Sequence, residues 1–238
     1  MATSLWLVRH GESVGNVAAT RAEREGLESV ELEYRDADVP LSEVGAGQAR
    51  ALGEWLREQE TPVATFVSPY LRARQTYEIA VEAAGLEGTA VIDERLRDRE
   101  LGVLDLLTAR GAEVRHPDEA ARRRWLGKYY YRPPGGESWA DLALRLRSFL
   151  RDVPDSEGPV LGVAHDAVVT NIVALCLGMG ERELLDFSRA HPVANASVTR
   201  LTREGDGWRL HEFADAHHLE AEGAPQTLHQ GDNRAEIH

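Results

Sequence analysis

Leu5-Trp6-Leu7-Val8-Arg9-His10-Gly11-Glu12-Ser13 is the stretch from which the fold is read. Its first four residues form a short continuous apolar run that breaks off into polar residues and glycine, as a strand buried on both faces does. A helix is expected from about Val14. The same order of apolar strand, chemically loaded end and helix recurs twice. Val63 to Val67 reads as a strand halted at Ser68-Pro69, with Leu71 to Ala84 as its helix. Val160 to Ala164 reads as another, ending in His165-Asp166 and followed by a helix through Cys176 that stops at Gly178.

Ser42 is placed to cap a helix carrying Val44, Leu52, Trp55 and Leu56, and Ser138 one carrying Leu142, Leu146, Phe149 and Leu150. Ala90 to Ile92 is a weaker strand. Ser197–Thr202 and Trp208–Phe213 flank Glu204-Gly205-Asp206-Gly207, a hairpin signal. The expected fold is α/β: a three-layer α/β/α sandwich with a mostly parallel central sheet and an antiparallel C-terminal hairpin. One domain is expected over residues 1–219, with an insertion of no regular pattern at about 104–134. The stretch 220–238, almost without apolar residues, is expected to be disordered.

With 238 residues and 42% of them hydrophobic, the chain can bury a sizeable core without disulfides. Its single cysteine, Cys176, sits in an apolar run and reads as a core thiol. A net charge of −13 argues against nucleic acid or an anionic membrane as partner. Without a charged-then-apolar leader or an apolar run of about 18 residues, a cytoplasmic protein is expected. No oligomeric state is legible. An acidic protein that binds phosphate needs a local cluster of cations.

In parallel sheets, ligands gather beyond the carboxyl ends of the strands. The three apolar strands here deliver Arg9 and His10, Arg72, and His165 to one rim. Arginine forks match phosphate oxygens, a neutral imidazole can attack phosphorus, and a protonated one can steady the equatorial oxygens. Taken alone, Arg-His-Gly is a weak signal, and a lone His165 is more often a satisfied structural histidine. Their shared position at strand ends reverses both readings. Arg74, beside Arg72, reads as a surface charge. Gly11-Glu12-Ser13-Val14-Gly15 also matches the G-x-S-x-G elbow of serine hydrolases, but too few residues precede it for the strand and loop that supply an oxyanion donor. His211, His217 and His218 follow no ligand spacing and read as surface histidines, so no metal site is expected.

These residues resemble the histidine phosphatase superfamily, the phosphoglycerate mutase-like proteins, from Leu5 to about Phe213. The resemblance rests on Leu-Val-Arg-His-Gly-Glu-Ser-x-x-Asn at 7–16, Pro-Leu-Ser-Glu-x-Gly-x-x-Gln-Ala at 40–49 and Val-Ser-Pro-Tyr-Leu-Arg-Ala-Arg-Gln-Thr at 67–76. Arg-Leu-Arg-Asp-Arg-Glu-Leu-Gly at 95–102, Pro-Gly-Gly-Glu-Ser at 134–138 and Val-Ala-His at 163–165 follow in family order. It implies that His10 is the phosphorylated nucleophile. Arg9, Arg72 and His165 would bind the phosphoryl group, with Ser13 and Asn16 positioning it. The proton donor falls on Asp98, where the family more commonly has Glu, with Glu100 as the rival. After His165 the family usually has glycine and this chain has Asp166. That carboxylate would raise the pKa of His165 if it faced the ring, and the sequence leaves its orientation open.

The reading is a phosphomonoesterase that passes through a phosphohistidine, on a small phosphorylated metabolite, with no metal or other cofactor. The alternative is cofactor-dependent phosphoglycerate mutase-type transfer, which needs extra cations such as those in Arg122 to Tyr131. A non-catalytic phospho-ligand binder is disfavoured because His10 and nearby carboxylates are all present.

Overall fold

Leu5, Trp6, Leu7 and Val8 alternate between two hydrophobic cores, and that alternation builds the molecule. A computed structural model describes residues 4–229. Strand β1 (Ser4–Arg9) lies between β4 (Pro159–Ala164), to which it is parallel, and β5 (Val198–Glu204), to which it is antiparallel. With β2 (Ala64–Val67), β3 (Val91–Ile92) and β6 (Gly207–Asp215), the sheet order is β3-β2-β4-β1-β5-β6. The first four strands in sequence are mutually parallel, and β5 and β6 form the antiparallel hairpin.

Side chains of successive strand residues point to opposite faces. Leu5 and Leu7 therefore meet Leu142, Leu146 and Phe149 of helix α6 (Trp139–Asp152) and Val168, Val169 and Ile172 of α7 (Asp166–Leu177). Trp6 and Val8 meet Leu52 and Leu56 of α2 (Glu43–Arg57) and Ala73 and Ala80 of α3 (Leu71–Ala84). The three layers follow from one strand. Helix α1 (Val14–Glu25) leaves β1 through a capping box in which the Ser13 side chain accepts from the Asn16 N–H and Asn16 answers to Ser13. Ser42 and Ser138 cap α2 and α6 as expected, and Gly178 ends α7 in the left-handed conformation.

Two expectations need correction. The stretch 104–134 is helical, as α4 (Ala109–Arg115) and α5 (Pro117–Tyr130), the latter kinked at Gly127 (φ 76°). It escapes a periodicity reading because α5 has no apolar stripe, and its Trp125 is exposed. The start signals were there: Pro117 in the first turn, followed by Asp118 and Glu119. Helices α8 (Glu181–Ala190) and α9 (His217–Ala221) were likewise not read.

The second correction concerns the stretch 220–238. Residues 220–229 form an ordered strap, while 230–238 lie outside the described residues. Hydrogen bonds hold most of the strap, with Ala224 adding an apolar contact to Ala51, Ala194 and Leu219. Gln48 Nε2 donates to Pro225 O and Thr227 Oγ1, and the Asn195 N–H donates to Thr227 O. His218, read as a surface residue, is buried with Nε2 against Ala196 O. His217 is exposed and paired with Asp215. Cys176 packs against the core, and burial pushes its thiol up to about 12. Among the described residues no helix is long and apolar enough to cross a membrane.

Candidate active site

The carboxyl ends of β1, β2 and β4 meet at one cleft of about 310 Å³. Arg9, His10, Ser13, Asn16, Arg72, Asp98, Glu100 and Asp166 line it, so residues far apart in sequence converge. The backbone of His10 is fixed on both sides: its N–H donates to Ala164 O, and its carbonyl accepts from Ala196 N–H and Asn195 Nδ2. The imidazole Nδ1 lies 2.7 Å from Gly11 O. Because a carbonyl only accepts, that contact places the proton on Nδ1 and leaves the Nε2 lone pair bare. Burial, then Arg72, His165 and Arg9, holds the His10 pKa well below its ordinary value. The ring is therefore neutral and nucleophilic at working pH.

His165 is fully buried, with its ring centroid 5.1 Å from that of His10. Ser68 Oγ stands 2.8 Å from its Nε2, and Nδ1 lies 3.3 Å from Asp98 Oδ2. Burial, Arg72, Arg145 and Arg9 depress its pKa well below the ordinary value, so it too is neutral at working pH. Asp166 contributes nothing to that shift. Its carboxylate turns to Thr170 Oγ1, 3.4 Å away, and faces Arg9 electrostatically, which answers the question of its orientation.

Arg9 and Arg72 are both buried. Arg9 donates to Val193 O and, at 2.9 Å, to His229 O on the C-terminal strap. Arg72 reaches Asp36 Oδ1 at 2.9 Å and Asp98 Oδ2 at 3.2 Å, and it lies over the Tyr70 ring. Although burial works against its charge, the two carboxylates raise its pKa overall. Arg74 instead points outward toward Glu78.

The two candidate acids differ in their surroundings. Asp98 stands between Arg72 and His165, and the Arg99 N–H donates to its Oδ1. Glu100 is exposed and accepts from the Tyr70 hydroxyl at 2.8 Å. The backbone carrying Asp98 is clamped from beneath. Arg145 donates to Asp98 O and Arg95 O, and Glu137 takes Arg97, Arg145 and the Glu100 N–H.

Ser13 and Asn16 line the cleft but are occupied with each other. Ser13 Oγ accepts from the Asn16 N–H, and Asn16 Oδ1 accepts from the Ser13 N–H and from Asn195. Among the described residues no histidine or carboxylate is hydrogen-bonded to Ser13 Oγ, so the serine-hydrolase elbow lacks its base. Asp36 on a connecting segment, Arg99 and His229 line the cleft without having been read from the sequence, whereas Arg123 of α5 belongs to the Arg122–Tyr131 cations noted for mutase-type transfer. His229 Nε2 lies 2.9 Å from Glu12 Oε2. Burial and nearby Arg123 lower the Arg99 pKa to about 10.

Residues 5–216 match the family model described as the histidine phosphatase superfamily (branch 1). A 2,3-bisphosphoglycerate-dependent phosphoglycerate mutase 2 of Gloeobacter violaceus is 36% identical over 177 residues, covering 71% of this chain and 73% of that protein. The Yersinia pestis protein named probable phosphoglycerate mutase GpmB is 30% identical over 230 residues, 91% of this chain and 94% of its own length. Among solved structures, a mycobacterial glucosyl-3-phosphoglycerate phosphatase is 27% identical with a TM-score of 0.70, covering 90% of this chain and 99% of that one. The YhfR protein of Bacillus stearothermophilus is 29% identical with a TM-score of 0.71, covering 92% and 100%.

Proposed function

The chain belongs to the histidine phosphatase superfamily (branch 1), and from that premise we propose that it is a phosphomonoesterase working through a phosphohistidine on His10. The observation that carries the reading is the Nδ1 contact of His10 with Gly11 O, beneath Arg9, Arg72 and His165. Neutral Nε2 attacks phosphorus in line, and the bond to the alcohol oxygen breaks as Asp98 protonates that oxygen. The Nδ1–H on Gly11 O steadies the positive charge that develops on the ring. Water then gives its proton to the Asp98 carboxylate and displaces His10 from phosphorus, which releases inorganic phosphate.

Arg9 and Arg72 bind the phosphoryl oxygens, and Ser13 and Asn16 hold the loop that presents His10. An arriving phosphate dianion favours a proton on His165, which then donates to an equatorial oxygen. Fixed positive charge and alignment supply most of the acceleration. Asp98 is favoured over Glu100 because it alone of the two stands beside Arg72 and His165. The solved phosphatase among the similar structures supports net hydrolysis.

Mutase-type transfer is the second reading. It is favoured by the mutases among the relatives and by Arg99 and Arg123 together at the cleft, where they could hold a substrate carboxylate. The deciding experiment measures phosphate release across phosphorylated metabolites alongside 3-phosphoglycerate interconversion. Interconversion without net phosphate release refutes the phosphatase reading. His10→Ala is expected to abolish both turnover and the acid-labile phosphoprotein; persistence of both refutes the assignment of the nucleophile.

A further inference from the structure

Beyond the strand ends, the cleft is walled by two connecting segments, 26–41 and 101–112. Backbone bonds zip them together: the Val30 N–H donates to Leu106 O at 2.8 Å, and the Thr108 N–H to Glu28 O at 3.1 Å. The surface they offer is largely apolar, with Val30, Leu32, Leu104, Leu106, Leu107 and Ala112 all facing the cleft. The polar groups along and beside them each hold at least one protein partner, and the cations Arg99 and Arg123 also line the cleft. Glu23 accepts from the Ala109 N–H, Asp105 from the Leu106 N–H, Asp36 holds Arg72, Glu100 holds Tyr70, and Thr108 Oγ1 donates to Leu27 O.

Leu106 adds an independent sign. Its φ is +56°, a left-handed conformation that suits Gly or Asn and is strained for leucine. A strained residue at a cleft, kept apolar where a polar one would fit the backbone better, points to a demand on its side chain.

We propose that the ester's leaving alcohol carries an apolar body, alkyl or aryl, in place of a polyol or a glycerate; this rests on the phosphomonoesterase reading. A polyol laid along Val30, Leu32, Leu104, Leu106 and Leu107 gives up water and meets no partner in those side chains, and each hydroxyl so placed weakens binding. An alkyl or aryl group gains from the same transfer. A cleft of about 310 Å³ holds a phosphoryl group and a body of roughly one or two aromatic rings, since benzene fills a cavity of about 150 Å³.

The test compares straight-chain alkyl phosphates from methyl to octyl, whose leaving groups are of nearly equal basicity, with glycerol 1-phosphate, glucose 6-phosphate and 3-phosphoglycerate. kcat/KM is expected to rise about fourfold per methylene over the first carbons and then level off, with the polyol and glycerate esters below butyl phosphate. Leu106→Asn, which suits the left-handed backbone and so keeps the fold, is expected to flatten that rise. The proposal is overturned if polyol or glycerate esters match hexyl phosphate while phosphate is still released, or if the slope is unchanged in Leu106→Asn. If no ester of either kind releases phosphate, the phosphomonoesterase reading fails, and this inference with it.

Discussion

Replacing Asp98 by Asn removes the proton and the charge while keeping an oxygen that Arg72 Nη2, 3.2 Å from the carboxylate, can still use. A positioned general acid contributes about 10²- to 10⁴-fold, so kcat for an alkyl phosphate should fall by that factor, or roughly 3–5 kcal/mol in the barrier. A p-nitrophenyl ester leaves as a stable anion and needs no proton. In Asp98→Asn a pre-steady-state burst of p-nitrophenolate should therefore persist at a rate within about tenfold of wild type, while the water step, which loses its base, slows on both esters. KM should hold or drop, because Arg72 loses one of the two carboxylates that compete with phosphate for it. The assay is pre-steady-state and steady-state kinetics on both esters in wild type, Asp98→Asn and Glu100→Gln. Glu100→Gln should be mild on both, since its carboxylate serves the Tyr70 hydroxyl. If Asp98→Asn spares alkyl esters while Glu100→Gln loses them selectively, the acid is Glu100 and the geometric argument is wrong.

Burial and neighbouring cations depress His10, so it stays neutral well below pH 6.5 and the acid limb of kcat/KM should lie well under that value; a midpoint at 6.5 refutes the electrostatic reading. The stability sign is the same. Below the unfolded value the unfolded chain takes up protons that buried His10 and His165 refuse, so their contribution is present above pH 6.5 and lost as pH falls. Denaturation midpoints across that range check it. Gly45→Ala is expected to lower Tm by about 5–10 °C, because its Cβ would stand 1.9 Å from Glu12 O at the start of α2; a melting curve within 2 °C of wild type shows that the helix can give way.

Much of the fold is legible because β1 states it twice, in a four-residue apolar run and in the polar end that follows. Ser42, Ser138 and Gly178 marked helix ends through capping chemistry that is local and therefore visible. Helix α5 was hidden because Arg122-Arg123-Arg124-Trp125 carries no apolar stripe, its partners being set by tertiary packing. The C-terminal strap was hidden because composition registers hydrophobicity, whereas Gln48 and Asn195 hold it by hydrogen bonds. In the site, residues at strand ends were readable from position. Asp36, Arg99 and His229 were not, since loops and a strap bring them in without a periodic signal. The Pro40–Ala49 stretch gains its reason only in three dimensions. Ser42 Oγ donates to Glu12, Gln48 Oε1 accepts from the Glu12 N–H, and Gly45 lets the two backbones touch.

The backbone of His10, held by Ala164 on one side and by Asn195 and Ala196 on the other, continues the central strand pairing. Its amide hydrogen can meet solvent only when the middle of the sheet opens, so it belongs among the slowest-exchanging in the protein. The zipped segments that wall the cleft lie at the other extreme, joined through a few bonds such as Val30 to Leu106. Any breathing that admits an ester is expected at those walls, on a timescale separate from the unfolding that would disturb His10. Substitutions there can retune which alcohols enter while the phosphoryl chemistry stays anchored in the part of the chain that opens last.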